Sequence, residues 1–552
     1  MHLLSGFSLS LKSNRTNALL LALVACLSIF ANESQAQRGF VSDASAANAG
    51  LAVAWSTQLE ISVKEELVDW QLVVDENRAT TYVVIEYEKR KEVISESDLS
   101  PFGVPYGIEG AQQAAEDRKE IIEYRLRNDG KEDVEVSISS YSLPKSSLYA
   151  LGQSGQVICL NADTGGVRWK QQVGDTRLPS VGLGASNNHV AVAVGTSIHC
   201  LDSETGRILW TGRCTDVISA SPAVSEEDIH VPLGSGRLQT FQIDRLGIGS
   251  FSRVAQGTPN ARPIITEKNV IWTTERGHMN VAPLGRQTVS YRLKTDGPIV
   301  AQAAFAKGIL YTGSLDGFVY GINQQTGVLD FEIPTGEGIL SAPVAFGDDV
   351  YAISGGNKLF RINSAEGNYP DTWQVPIEGI RDIVGFGTEN IYCLTTSGRL
   401  VGINRETRSI TKSVLGTDIE LAMPNAITDR MFFGTRGGFI QCVHEADSFR
   451  PRFLASDKSL QGPVRKKRPD KSAIGEENPF GDGDGSGNKE ANPFGDGSDS
   501  KESGSDNKES NPFDNSGGDD SGDGPNPFGE ESNPFGGDDG DSGGDDEENP
   551  FG

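Results

Sequence analysis

Cysteine is scarce in this chain, and what there is does not group. Six Cys occur in 552 residues. Cys26 lies in an N-terminal apolar stretch, and Cys159, Cys200, Cys214, Cys393 and Cys442 show no Cys-x-x-Cys spacing. An odd, dispersed set is neither a disulfide framework nor a zinc signature, so single buried thiols acting as small hydrophobes are expected. Positive charge is short as well: 49 Lys and Arg face 76 Asp and Glu, for a net charge of −27. That excludes the basic face on which nucleic-acid binding rests. Beyond His2, the histidines His189, His199, His230, His278 and His444 are never at metal-ligand spacing, and they read as surface or strand residues. The apolar run Ala18–Ala31 is too short to span a bilayer comfortably.

That run sits where an export signal belongs. Lys12 and Arg15 precede it, and Ser34-Gln35-Ala36 offers a small-x-small cleavage site, so residues 1–36 read as a signal peptide. A rival reading is a lipoprotein box, Leu23-Val24-Ala25-Cys26, which would tether the chain to a membrane through Cys26. A retained anchor is the third option.

Acidity is concentrated at the other end. From Asp470 to Gly552 there are 24 Asp and Glu against 4 Lys. Residues 456–552 therefore read as a linker and a disordered acidic tail, too poor in apolar side chains to offset the entropy of ordering. Six Asn-Pro-Phe triplets punctuate it, with Phe480, Phe494, Phe513, Phe528, Phe535 and Phe551 as its only aromatics and candidate binding motifs. In eukaryotic trafficking such triplets are bound by EH domains; the rest of this chain has a bacterial character, so only multivalent sticking on flexible spacers is carried over. Asp482–Gly487 resembles the start of an EF-hand loop, but Pro493 stands where the final Glu belongs. The basic run Arg465–Arg468 reads as solvated linker.

What the chain has in abundance is periodicity. Cys159–Trp169 (CLNADTGGVRW) returns as Cys200–Trp210 (CLDSETGRILW). Taking Cys159 as marker, the equivalents are Cys200, Thr240, Val281, Gly321, Arg361, Gly402 and Cys442, spaced 41, 40, 41, 40, 40, 41 and 40 residues. Eight units of that length mark a repeat architecture. Each reads as short strands joined by Gly turns such as Ser154-Gly155, Ser235-Gly236 and Asp316-Gly317. Pro222, Pro263, Pro298, Pro343 and Pro424 recur just after the inter-unit loop. A residue without an N–H belongs on a sheet edge, and the innermost strand of a propeller blade is one. The expected fold is all-β: an eight-bladed β-propeller of four-stranded blades over residues 147–455.

The last unit lacks an outer strand. Residues 37–63, with Trp55 and Leu59–Val63, are expected to supply it and clasp the ring. Residues 64–146 do not follow the repeat. They read as a charged insertion of mixed strands (Val68–Val74, Thr81–Tyr87) and a helix over Ala111–Arg127.

The pattern Asp-x-x-Thr-Gly-x-x-x-Trp, at Asn161–Trp169 and Asp202–Trp210, resembles the pyrroloquinoline-quinone (PQQ)-type repeat. That family includes eight-bladed quinoprotein dehydrogenases and the outer-membrane assembly protein BamB. The resemblance implies that Trp169 and Trp210, with Phe331 in the fifth unit, dock each blade on the next, and that Gly165, Gly206 and Gly327 shape the turns. Family dehydrogenases hold the quinone between a Trp floor and a vicinal disulfide, with calcium and a catalytic Asp. No Cys-Cys pair occurs here, and no catalytic, cofactor or metal residue can be carried over. The resemblance thus implies an exported, non-catalytic scaffold of the bacterial envelope that binds other envelope proteins through its loop faces. The alternative is a PQQ- and calcium-dependent dehydrogenase of an alcohol or sugar.

Overall fold

The computed structural model describes residues 40–454 except 62–64, 89, 132, 245–248 and 417–418. The signal peptide, Cys26 and the tail with its six Phe lie outside the described residues. Among the described residues no helix is long and apolar enough to cross a membrane.

Eight antiparallel sheets follow one another along the chain, seven of four strands and one of five. Blade 2 is representative: Ser180–Ala185, His189–Val194, Ser197–Asp202 and Ile208–Arg213 form a simple meander. Its first three strands are almost wholly buried, because each sheet is covered on both faces by its neighbours. Tyr149, Leu151 and Trp169 of blade 1 share a core with Leu183, Val190 and Val192 of blade 2. The strand that opens each blade lies at the centre of the ring. These strands are short in blades 3 and 4, Ala223–Val224 and Ile264–Ile265, each directly preceded by Pro222 or Pro263. A proline there removes a ladder donor from an edge that needs none.

The ring is closed by the N-terminus. Leu51–Gln58 pairs antiparallel with Phe439–Glu445 and forms the outer strand of blade 8, Trp55 standing opposite Cys442. A six-residue helix, α1 (Asp43–Asn48), precedes this strand, with Ser42 capping it. Phe40 packs on Phe433 and Phe439, and Val41 exchanges hydrogen bonds with the Gln441 side chain.

Two boundaries drawn from the sequence need correction. The propeller does not begin at 147, nor is all of 64–146 an insertion. The first half of the 21-residue strand Leu67–Tyr87 is the innermost strand of blade 1, pairing with Lys145–Gly152. Sequence periodicity misses it because the repeat is broken between its first and second strands. The insertion proper is the extension of those two strands beyond Asp75, joined by Arg90–Ser95. A second helix, α2 (Gly107–Asn128), packs Ala111, Ala115, Ile122 and Leu126 on Val83 and Ile85 of this ribbon. The histidines are in or beside strands, but His199, His230 and His444 are buried rather than at the surface.

Candidate seams, central cavity and loop rims

The marker column found in the sequence faces a second column on each outer strand. Cys159 pairs with Trp169, Cys200 with Trp210, Val281 with Tyr291, Gly321 with Phe331, Gly402 with Lys412 and Cys442 with Trp55. Side chains of this second column reach the next blade. The Trp169 ring lies on Gly206 and its Nε1–H donates to the Ser203 carbonyl at 3.0 Å. Gly206 has φ +70, and a Cβ there would sit 2.4 Å from the indole, so only glycine lets the ring lie flat on the turn. Trp55 repeats this on Gly165, donating to Ala162 at 2.9 Å. Tyr291 does so on Gly327, its hydroxyl donating to Gln324 at 2.6 Å, and Phe331 lies on Gly367.

Trp210 stacks near Phe241, and its Nε1–H has no partner among the described residues. Trp373 donates to the Arg405 carbonyl at 2.7 Å from a short 3-10 turn. In blade 3 Phe251 stands opposite Thr240, and the reach to the next blade comes from Arg253 two residues on, buried, whose guanidinium donates to the Pro283 and Arg286 carbonyls. In blade 7 Lys412 reaches the Gly50 carbonyl at 3.2 Å. What the seams share is thus a long side chain reaching the next blade, most often with a donor at its tip, while Phe331 does so by packing alone. Tyr291 was legible as the residue ten after its marker, as Trp169 is; Arg253 and Lys412 were not, because nothing apolar flags them.

All five Cys in the described residues are free and buried. Burial pushes the Cys159 thiol up to about 11 and those of Cys200 and Cys214 up to about 12, with Cys393 and Cys442 also raised. Such thiols stay protonated and inert at neutral pH.

At the centre, Asp69 straps four blades together. One oxygen of its carboxylate accepts from the Leu183 N–H (2.9 Å), the Ser221 hydroxyl (2.7 Å) and Arg262 (2.6 Å). Arg262 also donates to the Leu183 carbonyl, and Gln71 exchanges bonds with the main chain of Ala185. Removing one partner strands the other's charge in a largely buried place. We therefore expect Asp69→Ala to cost about 3 kcal/mol of unfolding free energy. Denaturant titration checks this; a loss within about 0.5 kcal/mol, the usual surface range, would remove the strap from the account.

Beside the strap is a cavity of about 320 Å³ lined mainly by the opening strands of blades 1 to 4, with Gln302 and Ile427. Its walls are Leu72, Val74, Ala185, Val224, Ile264 and Ile265; its lining includes one carboxylate, Glu226, and one guanidinium, Arg262, the latter held by Asp69. Neither thiol nor indole is among the lining residues. Among the described residues no three His, Cys, Asp or Glu side chains come together as metal ligands. These residues do not fit a quinone clamped by a disulfide, an indole floor and calcium.

The two rims differ. On one, the connection into each blade hydrogen-bonds to that blade's second turn: Gly195 N–H to Pro179, Gly234 to Val217, Leu315 to Pro298 and Gly355 to Gly338. Here Leu178, Val217, Leu315 and Leu340 are exposed, Val217 at 61% and Leu340 at 59%. On the other rim, the insertion packs against the turns of blades 1 and 2. Tyr82 donates to Asp163 at 2.7 Å, Thr164 to Asp98 at 3.0 Å, and Arg168 to Ser97 and Ser147. Burial pushes the carboxyls of Asp98 and Asp163 above their usual range. Arg78 and Lys145 meet Glu204 of blade 2. The exit strand is held too, with Lys91 over Phe449 and Arg450 over Tyr141.

Eight radial four-stranded meanders, the last completed from the N-terminus, define a β-propeller. The family model "Outer membrane protein assembly factor BamB" matches residues 266–412, which covers blades 5 and 6 with parts of their neighbours. Over those residues the propeller carries PQQ-like, BamB-type repeats. Among solved structures, BamB from Moraxella catarrhalis matches at 17% identity with a TM-score of 0.46, over 54% of this chain and 91% of that one. The computationally designed Ika8 protein matches at 15% identity with a TM-score of 0.43, over 54% and 93%. No curated protein sequence matches significantly.

Proposed function

We propose that this protein is an exported, non-catalytic propeller that serves as a protein-binding platform in a bacterial cell envelope. The observation that carries the reading is the asymmetry of the rims. One is overlaid by the insertion at blades 1 and 2, while the other leaves Leu178, Val217, Leu315 and Leu340 in water on inter-blade loops. Apolar side chains exposed on a rigid scaffold mark an interaction surface better than scattered single hydrophobes do. The chemistry of the cavity supports the same side, since its walls are aliphatic, its guanidinium is already paired, and its one carboxylate, Glu226, accepts from Asn188 with no second acid or base among the lining residues. The match to the outer-membrane assembly factor suggests that the partners are other proteins of the outer-membrane assembly apparatus.

The test is capture of those assembly proteins from envelope extract by the full-length chain. The variant Leu178→Asp/Val217→Asp/Leu340→Asp is expected to retain its thermal transition and to lose capture about tenfold or more, as desolvated apolar anchors do when replaced by charge. Identical capture by both proteins would reject this rim. Adding PQQ and calcium and obtaining a stoichiometric quinone spectrum with dye-linked oxidation of an alcohol or sugar would reject the non-catalytic reading.

A further inference from the structure

The tip of the insertion carries Ser100-Pro101-Phe102-Gly103, which shares three of its four residues with the Asn-Pro-Phe-Gly tetrapeptide that punctuates the C-terminal segment. Leu99 and Pro105 face each other across a tight hairpin. Inside it the Gly103 N–H donates to the Ser100 carbonyl at 2.9 Å, and the Ser100 N–H donates to the Val104 carbonyl at 2.8 Å. Ser at the first position, Pro at the second and Gly at the fourth are the residues such a turn selects. Gly103, at φ +76, returns the chain. Phe102, at the third position, is turned out of the fold and is 92% exposed. Val104, 61% exposed, and Ile108, in the first turn of α2, extend the apolar knob. A phenyl ring left in water forgoes about 2 kcal/mol that burial would return, so its place at a rigid turn needs a reason outside the fold.

The reason is in the sequence. Asn-Pro-Phe-Gly occurs at 478–481, 492–495, 526–529, 533–536 and 549–552, and Asn-Pro-Phe-Asp at 511–514. Asn and Ser are both favoured at the first turn position, so the tail tetrapeptides and Ser100–Gly103 are chemically the same unit. We propose that the Ser100–Val104 turn is a docking surface and displays the same ligand as the tail. Its partner is a protein with an apolar pocket sized for one phenyl ring, set in a basic surface. The basic setting follows from charge complementarity, since the tail copies stand among 24 acidic residues and 4 Lys, and Glu96 and Asp98 flank the turn on the body. The body copy is held in its turn by the fold and binds without an ordering cost. Copies on the same chain raise the effective concentration for the rest. This surface is on the insertion, away from the inter-blade rim, so it stands or falls independently of that rim.

The experiment uses the full-length chain carrying Val104→p-benzoylphenylalanine, irradiated in envelope extract of the native host, with synthetic Asn-Pro-Phe-Gly or Asn-Pro-Ala-Gly peptide as competitor. The adduct is expected to contain the same protein that is captured when the photo-reactive residue replaces Gly481. Phe102→Ala is expected to lower the yield about tenfold or more, the usual effect of removing an aromatic anchor. Millimolar Asn-Pro-Phe-Gly should do the same, and Asn-Pro-Ala-Gly should leave the yield unchanged. Phe102 supports no core, so a loss of capture with an unchanged thermal transition reports binding alone. Different proteins at the two positions, an adduct indifferent to both Phe102→Ala and the peptide, or no adduct at all would overturn the proposal.

Discussion

Trp55→Ala loosens the ring at its closure and costs about 5 kcal/mol of unfolding free energy, the upper end for deleting a buried Trp. The ring is 7% exposed, lies on Gly165 of blade 1 and packs against Phe432. Its truncation leaves a cavity at the seam between blades 8 and 1 and strips the Ala162 carbonyl of its donor. For a body of this size the loss corresponds to a fall in Tm of about 6 °C. Gly165→Val should be comparably damaging from the other side, since its Cβ would lie 2.5 Å from the indole at φ +72. Hydrogen exchange separates closure from general weakening. Trp55→Ala should release the amides of Leu51–Gln58 and Phe439–Glu445 ahead of the other blades, whereas Trp169→Ala should not. A loss below about 1 kcal/mol, or unchanged protection along that strand pair, would mean the closure does not depend on Trp55.

Acidification from pH 7 to pH 5 is expected to remove about 4 kcal/mol of stability through two buried histidines. Burial, with the Arg253 charge, pushes His230 down to about 3; burial, with Arg430, pushes His444 down to about 4. In the unfolded chain both titrate near 6.5. The unfolded state therefore takes up protons first, and stability is full above pH 6.5 and falls as pH drops toward the folded values. Each histidine contributes about 1.4 kcal/mol per pH unit. Glu92, Glu204 and Glu445, held below the usual range, lose their contribution only at lower pH. Asp98 and Asp163, raised by burial, act with the opposite sign and favour the folded state in acid. His199 and His278, also lowered by burial, act in the same direction; the share of His230 and His444 is isolated by His230→Gln/His444→Gln, which should reduce the slope of unfolding free energy between pH 6.5 and 5. An unchanged slope would reject the assignment.

The eight-unit spacing was readable because every blade repeats the same turn chemistry at a constant length, and a ring of equal sheets imposes that constancy on the sequence. The Trp-on-Gly seam was readable at Trp169 and Gly206, where both units keep the motif. It was not readable at Arg253 and Lys412, because a donor on a long stem can satisfy the same carbonyls without being apolar. Asp69 gave no signal at all. Its three donors come from Leu183, Ser221 and Arg262, separated from it by more than a hundred residues and brought together only by the ring.

Local pattern thus determined the strand meander, the number of blades and the turn glycines, since each depends on residues within a few positions of one another. Tertiary structure decided the rest. It showed that Leu67–Asp75 opens blade 1 although residues 76–144 separate it from its partner segment, which begins at Lys145. It also showed that Leu51–Gln58 belongs to the last blade, and that one rim is overlaid while the other keeps its leucines in water. Those features depend on closing the ring, which brings together positions separated by most of the chain; no short-range pattern records such a meeting.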